Sequence, residues 1–417
     1  MQAVAPPVDM RTVMLAVLAV LQPLWLALPS FLAIAMATST RSQELSLSRL
    51  ELEPTSLAAF VRRKAAVLHR HRDQARTSRE RMGPLLAWLW LGRHDLARAE
   101  LNAATRASAV PTSDDDAWLL IQHYWTLRAT RDHDALATAW PQLAAAAGRV
   151  AGGSTEGTKG PSYDGAVLRL QGLACAGLLA AASGDERLQT TFDLRARALL
   201  DQLEASYWSP TDGCFADAAT GGTPVSLFAC SIGMLTTTAD RTERHARLGL
   251  RQRGGGSSGT SDVEATLVAL AQFDGARATA LEALLADPSE SPTRAGLAID
   301  AVLFATTGLR MATGPGIDEA WVRLRPFVPS ASDRLVVRGL MHDGWTCDLS
   351  CDRSGEETVG RYTLHSQRPG CSWRQLVVHQ DRRTFVAAAI DGEAIELRSM
   401  AVAREDLLAP PTSSRSR

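Results

Sequence analysis

The sequence predicts a mainly α-helical protein of helix hairpins that ends in a small β domain. From about Ser56 to Met311, Ala, Leu and Arg dominate, and apolar residues recur at steps of three and four. Short polar or Gly-containing turns divide this stretch into helix pairs. After Gly314 the pattern changes to short runs rich in Val, Thr and aromatic residues, which is typical of strands.

The clearest helix pair spans Met82 to Ala107, where the apolar repeat is interrupted at Gly92. Further helices are predicted at Asp115 to Ala129, Asp134 to Arg149, Asp164 to Ala182, Asp185 to Ser206, Ser226 to Thr237, Thr242 to Arg251, Val263 to Gln272, Ala276 to Leu285 and Thr293 to Met311. A repeating two-helix unit fits either an α-solenoid or a closed ring of hairpins. Long, uneven loops such as Ala151 to Ser162 favour the ring.

Strands are predicted at Arg334 to Val337, Trp345 to Leu349, Tyr362 to Leu364, Gln375 to His379 and Thr384 to Ala389. Cys347 and Cys351 share one face of a predicted strand and Cys371 lies about one hairpin away, so we expect a disulfide within this trio. Cys175 and Cys230 lie in apolar helical sequence and are predicted to be buried free thiols. The chain has no CxxC pair, and its histidines are scattered, so no metal or other cofactor is expected.

The segment from Val13 to Ala37 carries no charge and is long enough to cross a bilayer. Two interpretations stay open: an uncleaved membrane anchor, or a long signal peptide cleaved after Ala35-Met36-Ala37. Either one makes the protein membrane-anchored or secreted, with an extracytoplasmic body.

Composition and the absence of certain motifs disfavour several classes of function. The 417 residues are 46% hydrophobic, which suffices for a large core and two domains. A net charge of -1 removes the electrostatic argument for a nucleic-acid partner. The sequence contains no P-loop or His-Glu-x-x-His motif, so nucleotide-binding and zinc-protease functions are disfavoured. The spacing Gly-x-Ser-x-Gly occurs from Gly255 to Gly259, but in a glycine-rich loop with no predicted strand before it, so a hydrolase-fold function is disfavoured too.

The order of four sequence segments along the chain points to a known family. They are RMGPLLAWLWLGRHDLARAEL from Arg81, DDDAWLLIQHYWTLRATRDHDALATAWPQL from Asp114, ASYWSPTDGCFAD from Ala205 and VRLRPFVPSASDRLVVRGL from Val322. Together they resemble the six-hairpin glycosidase superfamily of glucoamylase-like, trehalase-like and debranching-type enzymes. The resemblance implies an α/α toroid followed by a β-sandwich-like domain. The expected division is an N-terminal signal or anchor (1–40), the toroid (41–313), the β domain (314–405) and a disordered tail (406–417).

The resemblance also implies an oligo- or polysaccharide ligand and a pair of catalytic carboxylates. Glu156 and Asp164 flank the loop where the family places its general acid, and Glu264, close to Asp262, opens a later helix and is the candidate base. The candidate substrate-binding residues are Asp114, Asp115, Asp116, Trp118, Tyr163 and Trp208. We expect these loops to gather at one end of the ring, where the helix N-termini converge on one cleft.

Alternatives remain for these residues and for the function. Asp164, Asp262 and the run from Asp114 to Asp116 equally fit helix caps or first-turn acids. The stretch between Val150 and Asp164 lacks the aromatic and acidic phrase of the family, and Arg294 to Ile299 replaces its late His-x-x-Trp phrase. The sequence therefore supports a glycoside hydrolase or, alternatively, a non-catalytic glycan-binding or protein-interaction scaffold on a degenerate toroid or α-solenoid.

Overall fold

The computed structural model describes residues 50–71, 74, 77–107, 112–152, 163–211, 214–215, 281–286, 291–309, 321–329, 332–342, 345–366, 373–381 and 383–400. All of them belong to one compact unit, Leu50–Arg417. The predictions for the N-terminal apolar segment, for the helices from Ser226 to Gln272, for Cys230 and Cys371, and for the C-terminal tail lie outside these residues.

The helices follow the predicted hairpins. They are α1 (Thr55–Arg70), α2 (Ser78–Trp90), α3 (His94–Ala107), α4 (Ser113–Thr130), α5 (His133–Gly152), α6 (Tyr163–Ala182), α7 (Glu186–Tyr207) and α8 (Pro292–Thr307). The structure confirms the predicted fold class: helix hairpins form a toroid, and a β domain follows.

Helices α2 and α8 run parallel. The Thr293 hydroxyl donates to the Glu80 carbonyl at 2.9 Å near the start of both helices. Further along, the Trp90 indole Nε1 donates to Asp300 Oδ1 at 2.5 Å. Gly83 makes the close approach possible, because a Cβ there would lie 2.2 Å from the Thr293 carbonyl oxygen.

Helices α4 and α6 are also parallel. Gly172 of α6 packs against Ala117 of α4, and a Cβ at Gly172 would lie 2.9 Å from the Ala117 Cβ. Three residues earlier in each helix, Asp114 interacts electrostatically with Arg169. The contacting residues are three positions apart in both helices and follow the same order, so the two helices are parallel.

The outer helices return antiparallel. Arg81 of α2 forms a 2.9 Å ion pair with Glu100 of α3, after the turn at Gly92 in the left-handed region. Arg98 near the start of α3 pairs with Asp132 just after α4, so the C-terminal ends of α2 and α4 lie together. Helices α2, α4, α6 and α8 therefore share one direction and form the described part of the toroid's inner layer. We call the end at which they start the mouth.

The β domain consists of β4 (Trp321–Leu324), β5 (Arg334–His342), β6 (Trp345–Ser354), β7 (Glu357–Ser366), β8 (Trp373–Gln380), β9 (Arg383–Ile390) and β10 (Ala394–Met400). The short N-terminal strand β1 (Glu51–Glu53) joins it, while β2 (Trp208–Ser209) and β3 (Cys214–Phe215) form a separate hairpin. One sheet has the order β1-β5-β6-β7-β10 and the other β4-β8-β9. Within the described chain, β4 and β8 are the parallel pair.

The expected disulfide is not formed by Cys347 or Cys351, which are buried free thiols. Residues four apart in one strand share a face, but their Cα atoms are about 13 Å apart, which is beyond the reach of a disulfide. The Cys351 Sγ instead lies 3.6 Å from the Tyr362 hydroxyl. That hydroxyl donates to Gln380 at 2.6 Å and so links the two sheets. Cys175 is a buried free thiol, as predicted.

The connection between the helices and the β domain lies against α8. The Arg325 N–H donates to the Thr307 carbonyl and the Phe327 N–H to the Thr306 carbonyl, both at 2.8 Å. Leu324 and Val328 are buried on either side of these bonds. The junction therefore satisfies carbonyls at the end of α8 that have no partner within the helix.

Candidate functional site

One side of α4 faces the toroid axis. Ala117 marks the side toward α6, Gln122 donates to the Ser78 carbonyl and marks the side toward α2, and Asp116 bonds Arg149 and marks the side toward α5. At about 100° per residue, the remaining side, opposite Asp116, belongs to the axis. It carries Asp114, Trp118, Ile121 and Trp125.

The three acids that open α4 have different roles. Asp115 completes a capping box with Thr112, whose hydroxyl accepts from the Asp115 N–H at 3.2 Å. Asp116 is 2% exposed and accepts two hydrogen bonds from Arg149, at 2.7 and 2.8 Å. Both carboxylates serve the fold, in accord with the helix-terminus alternative. Asp114 remains exposed at the mouth and is the acid of this run that a ligand can reach.

The environment at the mouth raises the pKa of Asp114. Partial burial raises the pKa of its carboxyl, and the neighbouring Asp115 raises it further, whereas Arg169 and Arg79 act in the opposite direction. These groups come from α4, α6 and α2, so three inner helices contribute charge to one place. An acid with a raised pKa beside cations in a cleft is typical of functional sites.

The inner helices start at different levels. The contact of Ser78 with Gln122 means that α4 begins about two turns, roughly 10 Å, before α2. The contact of Gly172 with Ala117 places the start of α6 earlier still. Gly83 packs on Gly296, so α2 and α8 begin at a similar level. The first turns of α4 and α6 thus form a wall above the recessed starts of α2 and α8.

The predicted aromatic residues lie toward the same end of the toroid, at different depths and with different exposure. Trp118 lies one turn below Asp114 and is 4% exposed, and Tyr163 at the start of α6 is 1% exposed. The Tyr163 ring meets the Tyr207 ring edge-on, with centroids 5.7 Å apart. Trp208 follows at the same end of the toroid and is partly exposed. It is the predicted aromatic whose surface is most open to a sugar ring.

The predicted catalytic residues fall at the margin of the described chain. Glu156 and Glu264, with Asp262, lie outside it, and Asp164 is described only as the second residue of α6. The start of α6, and with it the backbone of Asp164, lies at the mouth. The catalytic roles of these three carboxylates remain predictions.

Sequence reasoning missed two polar residues of the toroid interior. Gln171 of α6 is 1% exposed, and neither atom of its amide has a hydrogen-bond partner within the described chain. Asp300 of α8 is partly accessible, and burial raises its pKa to about 6 although the hydrogen bond from Trp90 acts in the opposite direction. Each was visible in the sequence as a polar residue within a largely apolar part of its helix. By contrast His123, whose pKa burial lowers to about 4, lies on the side of α4 that faces away from the axis.

In the described part of the chain, no three His, Cys, Asp or Glu side chains converge as metal ligands. There α6 is also the one helix apolar and long enough to cross a bilayer, over Gly165–Ala182, but most of that stretch is buried in the protein. Its contacts with α4, α5 and α7 account for its apolar character.

Comparison with known proteins identifies the fold. No family model matches the chain, and no curated protein matches it at a significant level. Among solved structures, it is similar to the family GH78 rhamnosidase of Bacillus sp. GL1, with a TM-score of 0.52 and 14% identity over 76% of this chain and 41% of that one. The α-L-rhamnosidase of Dictyoglumus thermophilum gives a TM-score of 0.53 and 7% identity over 78% of this chain and 46% of that one.

The chain spans less than half the length of these two enzymes. At such low identity the likeness is one of fold. The chain therefore has an α/α toroid fold similar to that of these two enzymes, followed by a β domain.

Proposed function

We propose that this chain is a carbohydrate-active protein that binds a glycan at the mouth of its toroid. The observation that carries the proposal is the axis-facing side of α4, which places the exposed Asp114 carboxylate one turn above the Trp118 indole. The inner helices of the described chain, α2, α4, α6 and α8, start at this end, and the partly exposed Trp208 lies at its rim.

This combination suits a sugar. Carboxylate oxygens accept hydrogen bonds from hydroxyl groups, and aromatic faces pack against the apolar faces of sugar rings. The cations Arg79 and Arg169 are near enough to influence Asp114 electrostatically. The two similar structures described above are rhamnosidases, so rhamnosides are the first ligands to test.

A hydrolytic function requires a second carboxylate across the cleft. Asp164 at the start of α6, with Glu156 and Glu264, is our proposed source of that group. A second candidate function is glycan binding without hydrolysis, which is favoured by a specific observation: the stretch between Val150 and Asp164 lacks the aromatic and acidic segment of the resembling enzymes.

We further propose that the toroid and the β domain act outside the cytoplasm. The segment from Val13 to Ala37 either anchors them in the membrane or is cleaved from them as a signal peptide. Fusing a reporter that is active only outside the cytoplasm after Arg417 tests this location. A reporter that stays inactive would contradict it.

The binding proposal is tested by calorimetry and hydrolysis assays with the full chain and a panel of methyl glycosides and oligosaccharides, rhamnosides included. Asp114→Asn should weaken binding of the sugar that the parent binds by about tenfold, because the amide accepts hydroxyl hydrogen bonds less strongly than the carboxylate. Asp134→Asn is the matched control, since Asp134 is an exposed first-turn acid of α5 at the opposite end of the toroid. A parent that binds no sugar in the panel would overturn the proposal.

A further inference from the structure

The amide of Gln171 is a second polar feature of the toroid interior, below the mouth. Gly172 marks the side of α6 that contacts α4, and Gly177 marks the side that contacts Asp193 of α7, about 140° further round. Gln171 lies about 100° from Gly172 in the opposite direction, on the side that faces neither helix. That is the side toward the toroid axis.

Gln122 offers a direct comparison within the same protein. It is also buried, and its Nε2 donates to the Ser78 carbonyl at 2.6 Å, between α4 and α2. Gln171 is equally buried, yet neither its Nε2 nor its Oε1 has a partner in the described chain. Gln122 therefore links α4 to α2 through a hydrogen bond, whereas Gln171 forms no hydrogen bond to another helix of the described chain.

An unpartnered amide in an interior is unfavourable. Each buried polar group left without a hydrogen bond destabilises a protein, because it loses its hydrogen bonds to water and gains none in return. Native proteins seldom keep such groups unless water or a ligand completes them. Gln171 is also level with the candidate sugar site, because its neighbour Gly172 contacts Ala117, the residue before Trp118.

We propose that the Gln171 amide binds two adjacent hydroxyl groups of the sugar that enters the mouth, and so selects ligands with a vicinal diol. A primary amide presents one donor and one acceptor side by side. A vicinal diol can accept from the Nε2 with one hydroxyl and donate to the Oε1 with the next. This inference rests on the proposed glycan function and adds a preference that Asp114 and Trp118 do not define.

The test uses the full chain with Gln171→Met, which keeps the length of the side chain and removes both polar atoms, and Gln171→Leu as a second variant. Stability is measured by urea denaturation. Affinity is measured for the best methyl glycoside of the panel and for its singly deoxygenated analogues. Gln122→Met serves as the matched control because it removes a bonded glutamine that faces α2.

Gln171→Met should unfold at the same or a higher urea concentration than the parent, since it removes unpartnered groups, whereas Gln122→Met should unfold at a lower one. Gln171→Met should also bind the parent sugar about 10 to 100 times more weakly, a loss typical of a hydrogen-bonded pair. The deoxy analogue lacking one of the two hydroxyls should bind parent and variant alike.

The possible contrary results are distinct. Loss of stability in both Gln171 variants, comparable with that in Gln122→Met, would mean that Gln171 has a partner within the protein, and would overturn the inference without any sugar. If the parent and Gln171→Met bind the sugar with equal affinity, the amide is hydrated by ordered water and does not contact the sugar. That result would overturn this inference but not the proposed function. A parent that binds no sugar would overturn the proposed function and this inference with it.

Discussion

Replacing Asp300 with Asn should stabilise the protein at neutral pH. Burial raises the pKa of Asp300 from 3.8 to about 6 in the folded state. The folded chain therefore holds this proton more tightly than the unfolded chain does, and its stability falls as pH rises from about 4 to 6. Asn removes the charge but keeps an oxygen for the Trp90 indole, which now donates to Asp300 Oδ1 at 2.5 Å.

The size of the effect follows from the shift. A change from 3.8 to about 6 corresponds to about 3 kcal/mol at pH 7. The side chain keeps some access to solvent, so we expect a gain of about 1 to 3 kcal/mol for Asp300→Asn at pH 7. The gain should fade as pH falls from about 6 to 4, where the parent carboxyl becomes protonated.

Urea denaturation monitored by tryptophan fluorescence, at pH 7 and pH 4, measures the free energy of unfolding directly. Asp201→Asn is a suitable control because Asp201 is exposed on α7, and its replacement should leave the free energy of unfolding nearly unchanged. The reasoning is refuted if Asp300→Asn lowers stability at pH 7, or if its effect is equal at the two pH values.

The remaining predictions concern packing and pairing. Gly83→Ala should lower the free energy of unfolding by more than about 3 kcal/mol, because its Cβ would lie 2.2 Å from the Thr293 carbonyl oxygen, whereas Gly148→Ala, with nothing within 4 Å, should be neutral or stabilising in the same denaturation assay. Asp116→Asn should cost about 2 kcal/mol, since it removes a charge from the doubly bonded pair with its arginine partner, and an unchanged midpoint in urea would contradict this. A fragment that ends at Gly314 should melt at a lower temperature than the full chain, because it loses the two backbone bonds to the end of α8; equal melting temperatures would show that these bonds do not matter.

The sequence predicted the described helices well because each depends on local information. Apolar residues at steps of three and four defined α2 to α8, and Gly92 marked a turn where the backbone takes a left-handed conformation. The main β strands were found for the same reason, by alternation. The seven-residue strand β10 was missed. Strands β1 and β4 were missed as well, because three and four residues are too few for a periodic pattern, and they form through pairing with distant strands.

The candidate site was harder to predict because the roles of its residues depend on contacts between helices. Asp114, Asp115 and Asp116 look equivalent in sequence, yet one is exposed, one caps the helix and one is buried beside Arg149. The disulfide prediction was wrong for Cys347 and Cys351 because a shared face does not bring two Cα atoms close. Gln171 went unnoticed because a pattern cannot show that an amide lacks a partner.

The pairing of β1 with β5 constrains the order in which the protein can be assembled. Glu51 and Arg338, joined across these strands, are 287 residues apart in the chain. At translation rates of about 5 to 20 residues per second, roughly 15 to 60 s pass between the synthesis of β1 and that of its partner strand β5. The hairpins of α2 to α7 depend on contacts much closer in sequence, and such contacts form fast. Closure of this sheet edge is therefore a late step of folding, and until it occurs the residues just before α1 present unpaired strand backbone to chaperones and proteases.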